Sequence, residues 1–138
     1  AAVERVMALA KAAGAKRAIP LPVSAPFHCA LMRSAQEKMT KVLAALAMKK
    51  ASPAVVTNVG AEPVWEAERL REALVSQVVA PVRWVESVEK MGELGVTTFV
   101  EVGPGNVLSG LVRRISPGAR VFGTADREAL LKTARALM

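Results

Sequence analysis

The stretch VTTFVEVGPGNVLSGLVRRI, residues 96–115, decides how this chain folds. Val96 to Val102 is rich in β-branched and aromatic side chains, which predicts a buried strand. The turn Gly103-Pro104-Gly105-Asn106 ends that run, and Val107, Leu108, Leu111 and Val112 then recur at helical spacing. A second short strand is expected around Arg120 to Phe122, and a final helix from Asp126. Strands that alternate with helices predict an α/β fold with a parallel sheet, because parallel neighbours need a crossover connection.

Working back towards the N-terminus, Val82 to Met91 reads as a helix stopped near Gly92 or Gly95. The helix before it places Leu70, Leu74 and Val78 inside and is ended by Pro81. Ala54 to Val59 is a short apolar run expected to form a buried strand. Leu31, Ala35, Met39, Val42, Leu43 and Leu46 form the expected inner stripe of an amphipathic helix, with Arg33, Gln36, Glu37 and Lys41 outside. Ala18 to Val23 alternates, but Pro20 and Pro22 lack the ladder N–H, so it is an edge strand or an extended connector. Residues 1–13 carry Val3, Val6, Met7 and Ala10 at helical spacing, and Gly14 supplies a stop.

Composition narrows the function classes. With 52% hydrophobic and 22% charged side chains over 138 residues, the chain reads as soluble and globular. Its apolar runs fall short of a membrane span, so a cytoplasmic protein is expected. Cys29 and His28 are the only cysteine and histidine, which excludes an intrachain disulfide and leaves too few ligands for zinc. An excess of 19 Lys+Arg over 12 Asp+Glu gives a formal +7 and favours an anionic partner. Nucleic acid is not expected, because there is no Tyr and few aromatic platforms to stack bases.

The segment Pro-Val-Ser-Ala-Pro-Phe-His-Cys, residues 22–29, delivers a lone histidine on a proline-stiffened approach, where a catalytic base is well placed. A structural or merely exposed histidine fits the same pattern. A second feature bears on the choice. The carbonyl of Gln77 would ordinarily accept the N–H of residue 81, which is proline, and so loses its helical donor. Water, a turn amide or a histidine Nδ1–H would each fill that vacancy, the last leaving Nε2 free to take a proton.

Three separated runs, AKRAIPLPVSAPFHCALM (15–32), LVSQVVAPVRWVESVEKM (74–91) and FVEVGPGNVLSGLVRRI (99–115), resemble the malonyl-CoA:acyl carrier protein transacylases of bacterial fatty acid synthesis, in their C-terminal portion. The resemblance implies an α/β-hydrolase-like parallel-sheet core with a small ferredoxin-like subdomain inserted. Residues 1–21 would be the last helix and strand of the subdomain, and 22–138 the C-terminal part of the core. It also implies a Ser-His dyad in which His28 is the general base and the main-chain carbonyl of Gln77 orients it, replacing the carboxylate of a triad. The reaction implied is malonyl transfer from malonyl-CoA to the phosphopantetheine thiol of acyl carrier protein through an acyl-serine, with no metal or redox cofactor.

The chain departs from the family in one respect. No G-x-S-x-G nucleophile elbow occurs in it, so the serine is expected upstream, the N-terminal part of the same enzyme is an implied partner, and this chain alone is expected to be inactive. The intact protein is expected to be a monomer. Phe27 is either ordinary packing or a wall of the acyl pocket, as in similar polyketide synthase acyltransferase domains. Lys16, Arg17, Arg113 and Arg114 are the basic residues assigned to docking the acidic carrier. Cys29, Ser24, Asn58 and the Gly103-Pro104-Gly105 turn read as packing or turn residues. A non-catalytic carrier-binding fragment and a polyketide synthase acyltransferase domain are the alternative readings.

Overall fold

The computed structural model describes residues 2–138. Helix α1 spans Ala2–Ala12; a 3₁₀ turn at Ala30–Met32 runs into α2, Arg33–Ala44. A hairpin of β1, Val55–Val56, and β2, Pro63–Val64, precedes α3, Ala67–Ser76, and α4, Trp84–Glu93. Then come β3, Thr98–Glu101, α5, Val107–Ile115, β4, Arg120–Gly123, and α6, Arg127–Leu137.

The expected strand-helix-strand unit forms. β3 and β4 pair in parallel, from Thr98 opposite Arg120 to Glu101 opposite Gly123, with α5 as the crossover packed on both. Asp126 caps α6 by accepting the Ala129 N–H at 2.8 Å, and the Thr133 hydroxyl fastens α6 to β4 by donating to Gly123 O at 2.6 Å. Pairing needs two strands at matched distance, so the element is shorter than its apolar run, and Val102 is left 84% exposed.

One expected strand turns out otherwise. The run 54–59 contributes only β1, and β1 pairs antiparallel with β2 instead of joining the parallel sheet. The reason is a tight loop after it. Ala61 N–H donates to Thr57 O at 2.8 Å and Gly60 N–H to Thr57 Oγ1 at 3.3 Å, which turns the chain back on itself. A Cβ on Gly60 would stand 3.0 Å from Thr57 Oγ1, so a side chain there would have to push that hydroxyl aside. Residues 18–23, read as an edge strand or an extended connector, take the second form. They run as a connector in which Val23 N–H donates to Leu21 O at 2.9 Å across Pro22, a γ-turn that breaks the alternation.

Burial is sparse. Leu43, Ala61, Val64, Leu70, Val88 and Val112 form the buried apolar set. The expected inner stripe of α2 is largely bare: Leu31, Met39, Val42 and Leu46 are exposed and Leu43 alone is buried. The same holds for Leu74 on α3 and Val107 on α5, and α1 buries none of its residues. Amphipathic spacing requires a covering surface, and for these faces this chain does not supply one. A compact monomer of this mass exposes roughly 6,900 Å². This chain exposes 10363 Å².

Candidate active site

The segment leading to His28 is shaped by its prolines. Phe27 N–H donates to Ala25 O at 2.9 Å across Pro26, as Val23 does to Leu21 across Pro22. Two such tight turns in series swing the chain so that His28 sits at φ 57°, in the left-handed region. That conformation costs an L-residue roughly 1–2 kcal/mol, so surrounding contacts must hold it. Cys29 contributes one. Its thiol donates to Pro26 O at 3.1 Å, closing the turn from behind, and Met32 N–H then donates to Cys29 O at 3.0 Å to start the 3₁₀ turn. Cys29 is half-buried, and its thiol bond points back into the turn, as a packed residue would.

The second contact reaches the carbonyl that Pro81 leaves without a helical donor. Helix α3 ends at Ser76, and the turn after it tightens, with Val79 N–H donating to Ser76 O at 3.3 Å. His28 Nδ1 lies 3.0 Å from Gln77 O across 49 residues of sequence. A carbonyl oxygen only accepts, so this contact requires the hydrogen on Nδ1; in the neutral ring Nε2 then keeps its acceptor lone pair. His28 itself is exposed, which leaves Nε2 open to a reacting group.

Beside Gln77 an apolar cleft of about 370 Å³ runs between α3 and the hairpin, walled by Met48, Val55, Val56, Leu70 and Leu74. Phe27 is not among its walls and stands 55% exposed. Asn58 lines the same cleft, and its carbonyl accepts the Arg83 N–H at 2.9 Å, which ties the hairpin to the start of α4. Lys16 and Arg17 are exposed beyond the end of α1. Arg114 is exposed at the last turn of α5, whereas Arg113 is engaged there, donating from Nη2 to Val121 O at 3.2 Å. Among the described residues no three His, Cys, Asp or Glu side chains gather as a cation site would need.

Two residues escaped the sequence reading. Glu101, at the end of β3, accepts the Leu108 and Ser109 amides at 3.1 and 2.8 Å, serving the first turn of α5, whose N-cap Asn106 gives no side-chain bond. The Ser109 hydroxyl and amide hold its carboxyl below the usual glutamate range. Thr124 Oγ1 accepts the Gly103 N–H at 3.2 Å and so fastens the same turn to the end of β4. Gln36, expected to face outward, turns its amide to α3 and donates to Val75 O at 3.3 Å.

Fold and site together define an α/β chain whose single histidine is oriented by a main-chain carbonyl. The chain is 46% identical over 128 residues to the malonyl CoA-acyl carrier protein transacylase of Bacillus subtilis and 50% identical over 126 residues to that of Haemophilus influenzae, matching 93% and 91% of this chain. It spans about 40% of the length of these curated relatives. Among solved structures it superposes on an acyl-carrier-protein S-malonyltransferase from Burkholderia pseudomallei with TM-score 0.88 and 40% identity, covering 96% of this chain and 43% of that one. A type II polyketide acyl-carrier protein in complex with its malonyl-transacylase matches with TM-score 0.90 and 44% identity over 98% of this chain and 44% of the other. No family model matches. Over nearly its whole length the chain is thus similar to the malonyl CoA-acyl carrier protein transacylases, and it corresponds to about 40% of such a protein.

Proposed function

We propose that this chain supplies the general base of an enzyme that moves malonyl from malonyl-CoA to the phosphopantetheine thiol of acyl carrier protein. The observation that carries the reading is the 3.0 Å contact between His28 Nδ1 and Gln77 O, which fixes the tautomer a base needs. In the first half-reaction Nε2 takes the proton of a serine hydroxyl contributed from outside these residues. The serine oxygen bonds to the thioester carbon, the carbon–sulfur bond breaks, and the imidazolium returns its proton to the departing CoA sulfur. In the second, Nε2 takes the proton of the carrier thiol, the sulfur bonds to the malonyl carbon, and the proton goes back to the released serine oxygen. None of these steps calls for a metal or redox cofactor.

In this reading residues 1–21 end a small inserted subdomain and 22–138 are the C-terminal part of the core. The N-terminal part of the enzyme covers the bare faces of α2, α3 and α5, and the intact protein is a cytoplasmic monomer. No helix of the described residues is long and apolar enough to cross a membrane. Phe27 lines the acyl pocket once that part is in place. Lys16, Arg17 and Arg114 meet the acidic carrier, with Arg113 shared between carrier and β4. The solved complex of a related malonyl-transacylase with a polyketide carrier supports an acyl carrier protein as partner.

The test is malonyl transfer by the intact polypeptide carrying this chain. His28→Ala should lower kcat by about 10²–10⁴, the usual worth of a positioned base. Charge reversal of Lys16, Arg17 and Arg114 should weaken carrier binding without touching hydrolysis of malonyl-CoA. Unchanged transfer in His28→Ala, with carrier binding lost on charge reversal, would replace this reading with that of a carrier-binding module.

A further inference from the structure

We propose that Gln36 is a positioning residue for His28, the second of two tethers that hold the histidine segment on the C-terminal end of α3. The inference rests on His28 acting as the base, and concerns how its ring is kept in place.

In a continuing α-helix, Val75 O would accept the Val79 N–H and Gln77 O the N–H of residue 81. Neither bond exists. Val79 donates to Ser76 O instead, and residue 81 is proline. Val75 O keeps only a long bond of 3.4 Å from Val78 N–H and the close approach of the Gln77 N–H at the cap. Both carbonyls thus lack their regular i+4 donor and have a lone pair for an outside one, and both outside donors come from one short stretch of chain. His28 Nδ1–H reaches Gln77 O at 3.0 Å, and Gln36 Nε2–H reaches Val75 O at 3.3 Å. Since Val75 O only accepts, the amide nitrogen must be the group facing it.

The stretch between the donors is stiff. From Cys29 it passes directly through the 3₁₀ turn into α2, which packs along α3. His28, Gln36, Val75 and Gln77 therefore lie on a closed loop of rigid elements with a hydrogen bond at either end. His28 is exposed and water competes for its ring, whereas the Gln36 bond is part-buried and shielded. The shielded bond sets the spacing of α2 from α3, and that spacing keeps Nδ1 within reach of Gln77 O. Without it α2 is free to slide on α3, and the exposed ring exchanges its carbonyl for water.

The test uses the full chain with ¹⁵N-labelled histidine and reads the ring tautomer by long-range ¹H–¹⁵N correlation at alkaline pH, where imidazoles are neutral. His28 is the only histidine in these residues, and a His28→Ala difference spectrum identifies its signal in any longer polypeptide. Wild type should show Nδ1–H. Gln36→Leu, which keeps bulk and helix propensity but has no donor, should lower the Nδ1–H share several-fold. In the intact enzyme it should lower kcat roughly 2- to 10-fold at unchanged KM for malonyl-CoA, the worth of one hydrogen bond. Gln36→Glu, equal in shape but lacking the donor, should do the same, and serves if the leucine variant fails to fold.

A folded Gln36→Leu or Gln36→Glu with wild-type tautomer and kcat overturns the inference. The tautomer is read without turnover. Intact transfer in His28→Ala would end the proposed function and leave this measurement standing; a silent Gln36 with an inactive His28→Ala would do the reverse.

Discussion

Replacing Gln77 by alanine should leave the site working, because the group that holds His28 is the peptide oxygen of residue 77 and not its side chain. The 3.0 Å bond lies at an exposed position, where a neutral hydrogen bond contributes about 0.5–1.5 kcal/mol net. At 1.36 kcal/mol per decade, that biases the ring towards the productive tautomer about 2- to 13-fold. Gln77→Ala keeps all of it. Gln77 is a half-buried residue at the edge of α3 that lines the apolar cleft, and alanine is a good helix former there, so stability should move by less than about 0.5 kcal/mol and kcat by about twofold at most. The assay is steady-state malonyl transfer by the intact polypeptide, run beside His28→Ala, with circular dichroism to establish that both variants fold. A folded Gln77→Ala that loses tenfold or more in kcat would refute the reasoning, since it would mean that the amide side chain orients the base or contacts the substrate.

Val88 is fully buried on α4, which packs against α5, and Val88→Ala removes two methyl groups there; urea unfolding should show a loss of about 2–3 kcal/mol with unchanged m. Acid should destabilise the turn that starts α5. The folded-state pKa of Glu101 lies below its ordinary value of 4.5, so its contribution is fully present above that value and is lost as pH falls through the depressed one. The unfolding midpoint of wild type should therefore drop more steeply below about pH 4.5 than that of Glu101→Gln, which starts lower at pH 7; parallel curves would refute the assignment.

How far the site could be read in advance differs from residue to residue. The orphaned Gln77 carbonyl was legible because Pro81 is a covalent fact, a ring nitrogen with no hydrogen; that His28 and not water or a turn amide fills the vacancy was implied only by the family resemblance. Gln36 was misassigned for the opposite reason. Its position on α2 satisfies the spacing of an outer face, and only the packing of α3 alongside turns that face into a contact. Glu101 carried no signal beyond its place in a strand, since accepting two amides seven and eight residues later depends on the angle at which α5 leaves the turn.

What the amino-acid order determined by itself was local: which segments form helices, that prolines shape the approach to the histidine, and that a strand, a helix and a strand in succession must pair in parallel. These follow from backbone sterics and short-range periodicity, which act over a few residues. The tertiary structure alone decided that the run at 54–59 folds back on 63–64, that the α2 stripe stays bare, and that His28 is held at a positive φ. Those outcomes depend on which surfaces meet across tens of residues. An apolar face records in its spacing that it needs a cover, but not what the cover is.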